Sequence, residues 1–415
     1  MSLPLPDTLR ADLSTRAARW LLCALAAVWL ALLGGDWLMR LRWFRWHESL
    51  VLRPRAQGAF LGPEAPLRIV ELPARRGGGD LTQLIALPEA ARRFEEERPA
   101  ATDYTDEFGF RNRPPTAGRA FDVVVAGDSF MAQGEQIGST PAGNLAALGG
   151  WSTYTYAYPG RGPIYAIARF FEEERFRLHP PRVLLWGLVE REIGGDVLGA
   201  LPWYLEHGSA VAQPGQARLN TYELKPRQLK RTLPNTSVVA QAARKIWNIL
   251  RYHVLGQLTP EVAVSRQPID GREVLFYTPA LTAMRWTPAQ RKPEQMADVI
   301  AQVAGRCAQR GIALIPVLIP DKEQVYREYL PARLAQPPVP RSTLLDLEDG
   351  LRARGLRAVN LLDPYRRAAA AGRLLYRADD THWNEDGIAL AAAEIQRVLA
   401  GRFDTPAAAP HSDSP

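Results

Sequence analysis

The chain has 415 residues, 47% of them hydrophobic and 23% charged, with a formal net charge of +7. That composition can build a sizeable core and is not that of a disordered chain. Its basic residues are mostly arginines scattered beside acids, as in Phe94-Glu95-Glu96-Glu97-Arg98; no basic stripe with interleaved aromatics is visible, so nucleic acid is not an expected partner.

The first predicted element is apolar. From Ala17 to Met39 the chain is strongly hydrophobic, and Trp20 to Gly35 carries no charge before Asp36. Roughly 17–20 residues are needed to cross a bilayer, so this run is just adequate. Trp20 and Trp37 bracket it as interfacial aromatics do. The run is long for a signal-peptide core and no clear A-x-A site follows, which favours an uncleaved transmembrane anchor at 17–39 behind an N-terminal tail, 1–16. Arg10, Arg16 and Arg19 precede the run; Arg40, Arg42, Arg45, Arg53 and Arg55 follow it. Counted literally, these charges put the carboxyl-terminal side in the cytoplasm, although large domains translocate despite such flanks. With Trp43, Phe44 and Trp46 among them, the later arginines suit a segment lying on anionic headgroups.

Residues 40–104 read as juxtamembrane segment and linker, since the stretch 56–120 is rich in Pro, Gly and Arg, including Arg75-Arg76-Gly77-Gly78-Gly79. The pattern from 105 to 402 is α/β. Asp122-Val123-Val124-Val125-Ala126 and Val183-Leu184-Leu185-Trp186 are short apolar runs suited to buried parallel strands. A helix is expected from Pro293 to Gly311, a strand over Ile312 to Ile319, a helix over Leu344 to Arg354 closed by Gly355, and a strand over Ala358 to Leu362. A last helix runs from Glu385 to Leu399, with Ile388, Ala391, Ala392, Ile395 and Leu399 on one face. Alternating strands and helices imply a mostly parallel sheet with helices on both faces. The stretch from about 200 to 290 breaks the rhythm and reads as an insertion with one helix near Val238 to Leu250. Residues 403–415 read as a disordered tail.

Gly127-Asp128-Ser129-Phe130 sits directly after the first strand, where α/β sheets gather their ligands. A serine at a following helix N-terminus can attack a carbonyl while its own N–H faces the resulting oxyanion. The plainer role for Ser129 is a helix cap. Asp128 suits a structural hydrogen-bond partner better than a catalytic acid. A serine nucleophile needs a base, and the base needs a carboxylate to orient it. Of the six histidines, only His382, in Asp379-Asp380-Thr381-His382-Trp383-Asn384, has acids two and three residues before it at a strand-to-helix junction. Cys23 and Cys307 do not suit a bridge, and no C-x-x-C pair is present for zinc or redox chemistry, so no metal is expected. No G-x-G-x-x-G follows a strand, which argues against a Rossmann oxidoreductase.

Taken together, Gly127-Asp128-Ser129 and Asp379-x-x-His382 resemble the first and last blocks of the SGNH hydrolase superfamily, in its ordinary order. Asp380-Thr381-His382-Trp383-Asn384 is similar to the membrane-linked branch that includes alginate O-acetyltransferase proteins, although in those proteins the Asp-x-His block precedes the serine block. Phe108-Gly109-Phe110-Arg111-Asn112 resembles the "GFR" segment of that branch, and Pro320-Asp321-Lys322 with Tyr326 its "P-x-K…Y" segment. The resemblance implies an SGNH (flavodoxin-like) α/β fold and a catalytic triad of Ser129, His382 and Asp380, with Asp379 as the alternative acid. It implies an oxyanion hole of Ser129 and Gly160. The asparagine of the family's third block is absent after Trp186-Gly187, which leaves Arg191 as a candidate donor or, equally, as the partner of Glu190 or Glu192 in an ion pair.

The function so implied is O-acetyl transfer to an exported or surface polysaccharide, by a single-pass inner-membrane protein with its soluble domain in the periplasm. No acetyl-CoA fingerprint is visible and no cofactor is implied; a membrane-bound acyltransferase partner would deliver the acetyl group. An SGNH carbohydrate esterase would use the same residues with water as acceptor. A non-catalytic polysaccharide-binding scaffold of an export complex is the reading from another class.

Overall fold

The computed structural model describes residues 7–40, 66–85, 87–209, 238–335 and 341–403. The expectations for residues 1–6, for the headgroup segment beyond residue 40 and for the tail from 404 fall outside the described residues. The chain divides into two compact units: Met1–Arg55 with Leu224–Gln257, and Ala56–Glu223 with Leu258–Pro415.

In chain order the strands are β1 (Ile69–Leu72), β2 (Arg75–Arg76), β3 (Glu97–Arg98), β4 (Ala101–Tyr104), β5 (Val123–Gly127), β6 (Thr153–Ala157), β7 (Val183–Val189), β8 (Val262–Val264), β9 (Leu275–Tyr277), β10 (Ala313–Ile319) and β11 (Val359–Asn360). The helices that matter below are α1 (Asp7–Arg40), α2 (Asp80–Leu84), α3 (Ser129–Ala132), α4 (Tyr165–Glu172), α5 (Val238–Leu255), α6 (Pro293–Ala308), α7 (Thr343–Ala353) and α8 (Glu385–Phe403).

The larger unit is organised by a five-stranded sheet in the order β11-β10-β7-β5-β6, parallel throughout. Every residue of β7 is buried, as expected for a strand covered on both faces. Period-two alternation sorts its side chains. Leu185 and Val189 join Val123, Val125, Ile315 and Val317 against Ile388, Ala391, Ala392, Ile395 and Leu399 of α8. Leu184, Trp186 and Leu188 join Val124, Ala126 and Leu314 against α4, α6 and α7 on the other face. Each fully buried Leu or Ile contributes about 1.5–3 kcal/mol, so two such layers make the sheet the stable frame of the site. Helices α6 and α7 are followed by Gly311 and Gly355, at φ +70° and +71°, the left-handed turn that lets the chain double back into a strand.

The edge strand β6 is absent from the sequence reading. Its text, Thr-Tyr-Thr-Tyr-Ala, is not an apolar run, yet Tyr154 and Tyr156 are fully buried. Their hydroxyls are satisfied by Asp106 at 2.6 Å and Glu173 at 3.2 Å, which is what lets tyrosine serve as core there. From β5 the chain goes out to β6 and then crosses back to β7, so the strand order reverses at β5. The carboxyl ends of β5 and β7 thus flank the crevice where an open α/β sheet binds its ligand.

Residues 66–104, read from sequence as linker, contain β1–β4 and α2. Strand β1 pairs antiparallel with β4, and β2 with β3. Within the insertion, β8 and β9 form a hairpin, and Leu275 N–H donates to Ala378 C=O at 2.8 Å. In the smaller unit α1 and α5 contact each other. Among the described residues, Arg16–Gly35 is the one helical stretch long and apolar enough to cross a bilayer, and none of it is buried.

Candidate active site

Ser129 opens α3 immediately after β5. Asp128 caps the turn, its Oδ1 accepting from Phe130 N–H at 2.9 Å. As first helical residue, Ser129 has an amide with no intrahelical acceptor. The turn is seated by small residues below it: a Cβ on Gly127 or Gly187 would meet Met131 Cγ at 2.7 or 2.4 Å. It is held at its far end by Arg111, whose Nη1 donates to Ala132 C=O at 2.7 Å while Nε donates to Asp103 at 2.8 Å. Asn112 extends the edge of β6, exchanging hydrogen bonds with Thr155 at 2.8 and 3.1 Å. The "GFR" segment is therefore the buttress of the serine turn.

His382 sits in a tight loop just before α8, closed by a bridge between Tyr376 and Trp383. Arg377 N–H donates to His382 C=O at 3.0 Å, and Asn384 Nδ2 donates to Leu374 C=O at 2.7 Å. Lys322 is buried beneath the loop and donates from Nζ to the carbonyls of Arg377 at 2.7 Å and Leu275 at 2.8 Å. The structure brings Ser129, His382 and Asp380 together: Ser129 Oγ lies 2.7 Å from His382 Nε2, and His382 Nδ1 lies 2.6 Å from Asp380 Oδ1. Asp380 Oδ1 also accepts from His382 N–H at 3.0 Å. Asp379 faces the other way. Its carboxylate, fully buried, takes Arg98 on both oxygens at 3.0 and 3.1 Å, the two-pronged geometry suited to a desolvated pair.

Arg191 follows β7 and pairs with Asp321 at 2.6 Å. Of the two acids named from sequence, Glu190 is buried and accepts from Ser342 Oγ at 2.7 Å and Gln324 Nε2 at 3.1 Å, while the charge of Glu192 acts on Arg191 after that of Asp321. The Arg191 guanidinium lies 5.3 Å from the centre of the Phe130 ring and 3.5 Å from Thr381 Oγ1, between the serine turn and the histidine loop. Gly160 occupies an exposed turn after β6 at φ +72°, tied to the strand end before Ser129 by Tyr158 N–H donating to Gly127 C=O at 2.9 Å.

One site residue went unread in the sequence. Asp80, at the start of α2, accepts from Thr381 N–H at 2.7 Å and from Thr381 Oγ1, while its own N–H donates to Asp380 Oδ2 at 3.2 Å. Its Oδ2 is 3.8 Å from His382 Nδ1. Asp80 can come this near because Gly79 has no side chain: a Cβ there would stand 2.1 Å from the Asp379 carbonyl oxygen. The same carbonyl accepts from Leu81 and Thr82 N–H at 3.2 and 3.3 Å. The available signal was the Gly77-Gly78-Gly79-Asp80 run, a turn followed by an acid at a helix start.

Electrostatics follow the geometry. Burial opposes a charged imidazole, but Asp380 and then Asp80 outweigh it, and the His382 pKa is raised above its ordinary value. Burial would likewise raise Asp380, yet His382 and its hydrogen bonds hold that carboxylate well below the usual range. Asp80 moves oppositely: loss of water and then the Asp380 charge push it up to about 6. Burial, then Glu192, raises the Asp128 carboxyl well above its ordinary value, against the opposing pull of the Phe130 N–H bond. Among the described residues one set of potential metal ligands converges, Asp80, Asp380 and His382. There the imidazole already spends Nδ1 on Asp380 and Nε2 on Ser129, the wiring of a proton relay.

Residues 275–413 match the family model described as SGNH hydrolase-like domain, acetyltransferase AlgX. That span includes Asp380 and His382 and leaves out Ser129. Over 167 residues the chain is 23% identical to a probable alginate O-acetylase AlgJ of Pseudomonas fluorescens, an alignment covering 40% of this chain and 40% of that protein. The carboxyl-terminal third of the chain is thus similar to an SGNH hydrolase-like acetyltransferase domain, and the larger unit has a parallel α/β sheet; the chain spans 40% of the length of the alginate O-acetylase it matches.

Proposed function

We propose that the protein is a membrane-anchored serine O-acetyltransferase that acetylates an exported or cell-surface polysaccharide through an acetyl-Ser129 intermediate. The observation that carries this reading is the unbroken relay from Ser129 Oγ through His382 to Asp380, at 2.7 and 2.6 Å.

In the first half-reaction His382 Nε2 takes the Ser129 proton as Oγ bonds to the carbonyl carbon of an acetyl donor. Asp380 holds the imidazole with Nδ1 protonated and stabilises the imidazolium that forms. The Ser129 amide, with Gly160 and Arg191 as further donors, faces the oxyanion. As the carbonyl re-forms, His382 returns the proton to the departing oxygen. In the second half-reaction a sugar hydroxyl gives its proton to His382 and attacks acetyl-Ser129, and the proton returns to Ser129 as the ester leaves. The exposed apolar helix Arg16–Gly35 supports an anchor, with the larger unit on the periplasmic side. A membrane-bound acyltransferase supplying the donor completes the scheme.

The test compares the protein with Ser129→Ala, using an acetyl-ester donor with and without an oligosaccharide acceptor. Acetylated sugar that disappears in the variant is the expected result. Acetate release indifferent to acceptor would make the protein an esterase. Absence of any serine-dependent turnover would leave a binding scaffold. A reporter fused after residue 415 reads the topology.

A further inference from the structure

Helix α5 is built inside out for a water-soluble surface. At 3.6 residues per turn, Ala243, Ile246, Trp247, Leu250 and Val254 fall within an arc of about 100°. In a soluble helix such an arc faces the core. Here Ile246, Trp247, Leu250 and Val254 are 56%, 61%, 50% and 75% exposed. Asn248, on the opposite side of the helix, is 8% exposed. The amide side chain is inside and the large apolar ones are outside.

Two further observations identify what covers this face. The helix sequence contains Arg244, Lys245 and Arg251 and no acidic residue, and in register Arg251 flanks the apolar arc on the Trp247 side. A basic helix with an apolar face containing tryptophan complements anionic headgroups above an acyl layer. The helix also packs on the apolar one, since α5 contacts α1 within the smaller unit. A helix touching a transmembrane span, with its apolar side turned outward, has lipid as its neighbour.

We infer that α5 is an in-plane membrane helix, lying in the headgroup layer of the bilayer that α1 spans, with Ile246, Trp247, Leu250 and Val254 dipped into the acyl boundary and Arg251 at the level of the phospholipid phosphates. The catalytic reading of Ser129 is not needed for this inference.

The test uses the full-length protein in vesicles of phosphatidylcholine and phosphatidylglycerol. In a Cys23→Ser background the remaining thiol, Cys307, is buried and its pKa is pushed up by that burial to about 12, so it resists labelling. Nitroxides are placed one at a time at Leu250→Cys and Val254→Cys, with Leu25→Cys in α1 as reference and circular dichroism as the check on folding. Collision rates are measured with oxygen, which partitions into lipid, and with a water-soluble nickel chelate. The expected result is a several-fold preference for oxygen at 250 and 254, at a shallower depth than at 25. Nickel access at 250 and 254 would put the face in water and overturn the inference. Shielding from both reagents would show the face covered by protein, and overturn it equally. Nickel access at 25 alone would instead break the anchor reading of α1, so the two failures are distinguishable.

Discussion

The carboxyl-terminal loop, residues 376–384, and the amino-terminal strap, residues 75–98, meet at the site but differ in kind. The loop carries its pair in a short text, Asp380-Thr381-His382, whose spacing alone sets imidazole and carboxylate on one turn. The strap carries no such text. Its Gly79, Asp80 and Arg98 acquire meaning only against Asp379, Asp380 and Thr381, some 300 positions away. The difference teaches that the His382–Asp380 pair is local in sequence, while Ser129 and the parts that hold the pair in place come from far along the chain.

The contrast can be broken most sharply at the relay. Ser129→Ala and His382→Ala should each lower kcat by about 10⁴-fold or more with the melting temperature nearly unchanged, and Asp380→Asn by about 10³- to 10⁴-fold. The neighbouring acid should behave differently. Asp379→Asn leaves Arg98 buried beside a neutral amide, so the loss should appear in denaturant unfolding, about 3 kcal/mol, before it appears in kcat. Equal effects of Asp379→Asn and Asp380→Asn on turnover at full stability would erase the distinction between holding and reacting.

Smaller effects probe the strap itself. Gly79→Ala must push α2 off the Asp379 carbonyl and should cost about 1–3 kcal/mol, measured as a lowered unfolding midpoint. Asp80→Asn should have the mildest effect and a distinctive one. His382 must be neutral to accept the serine proton, so kcat/KM falls as pH drops through its pKa, which lies above the ordinary value near about 6.5. Asp80 is one of the charges raising it, so removing that charge should move the acid limb of the profile to lower pH. An acid limb that stays in place in Asp80→Asn would mean that Asp80 only braces the loop.

The sheet was legible where strands are buried on both faces, because Val123-Val124-Val125-Ala126 and Leu184-Leu185-Trp186 can hardly be placed elsewhere. Strand β6 was not, since its buried residues are tyrosines whose hydroxyls find Asp106 and Glu173 only after folding. The pairing of Ser129 with His382 was readable from the strand-end serine and the spaced acids. The partner of Arg191 was not, because Asp321 comes from the strand end of β10, beside β7 in space and distant in sequence. Nor could the order of chain reveal that the glycine-rich stretch Gly77-Gly78-Gly79 folds back onto the loop of Asp379 to His382.

That folding back sets a timetable. The strap and Ser129 leave the ribosome long before residues 379–382. Until those residues follow, Arg98 lacks its carboxylate and Ser129 its imidazole neighbour. A chain ending before residue 379 therefore holds the strap and the serine turn without either the carboxylate that buries Arg98 or the imidazole that meets Ser129.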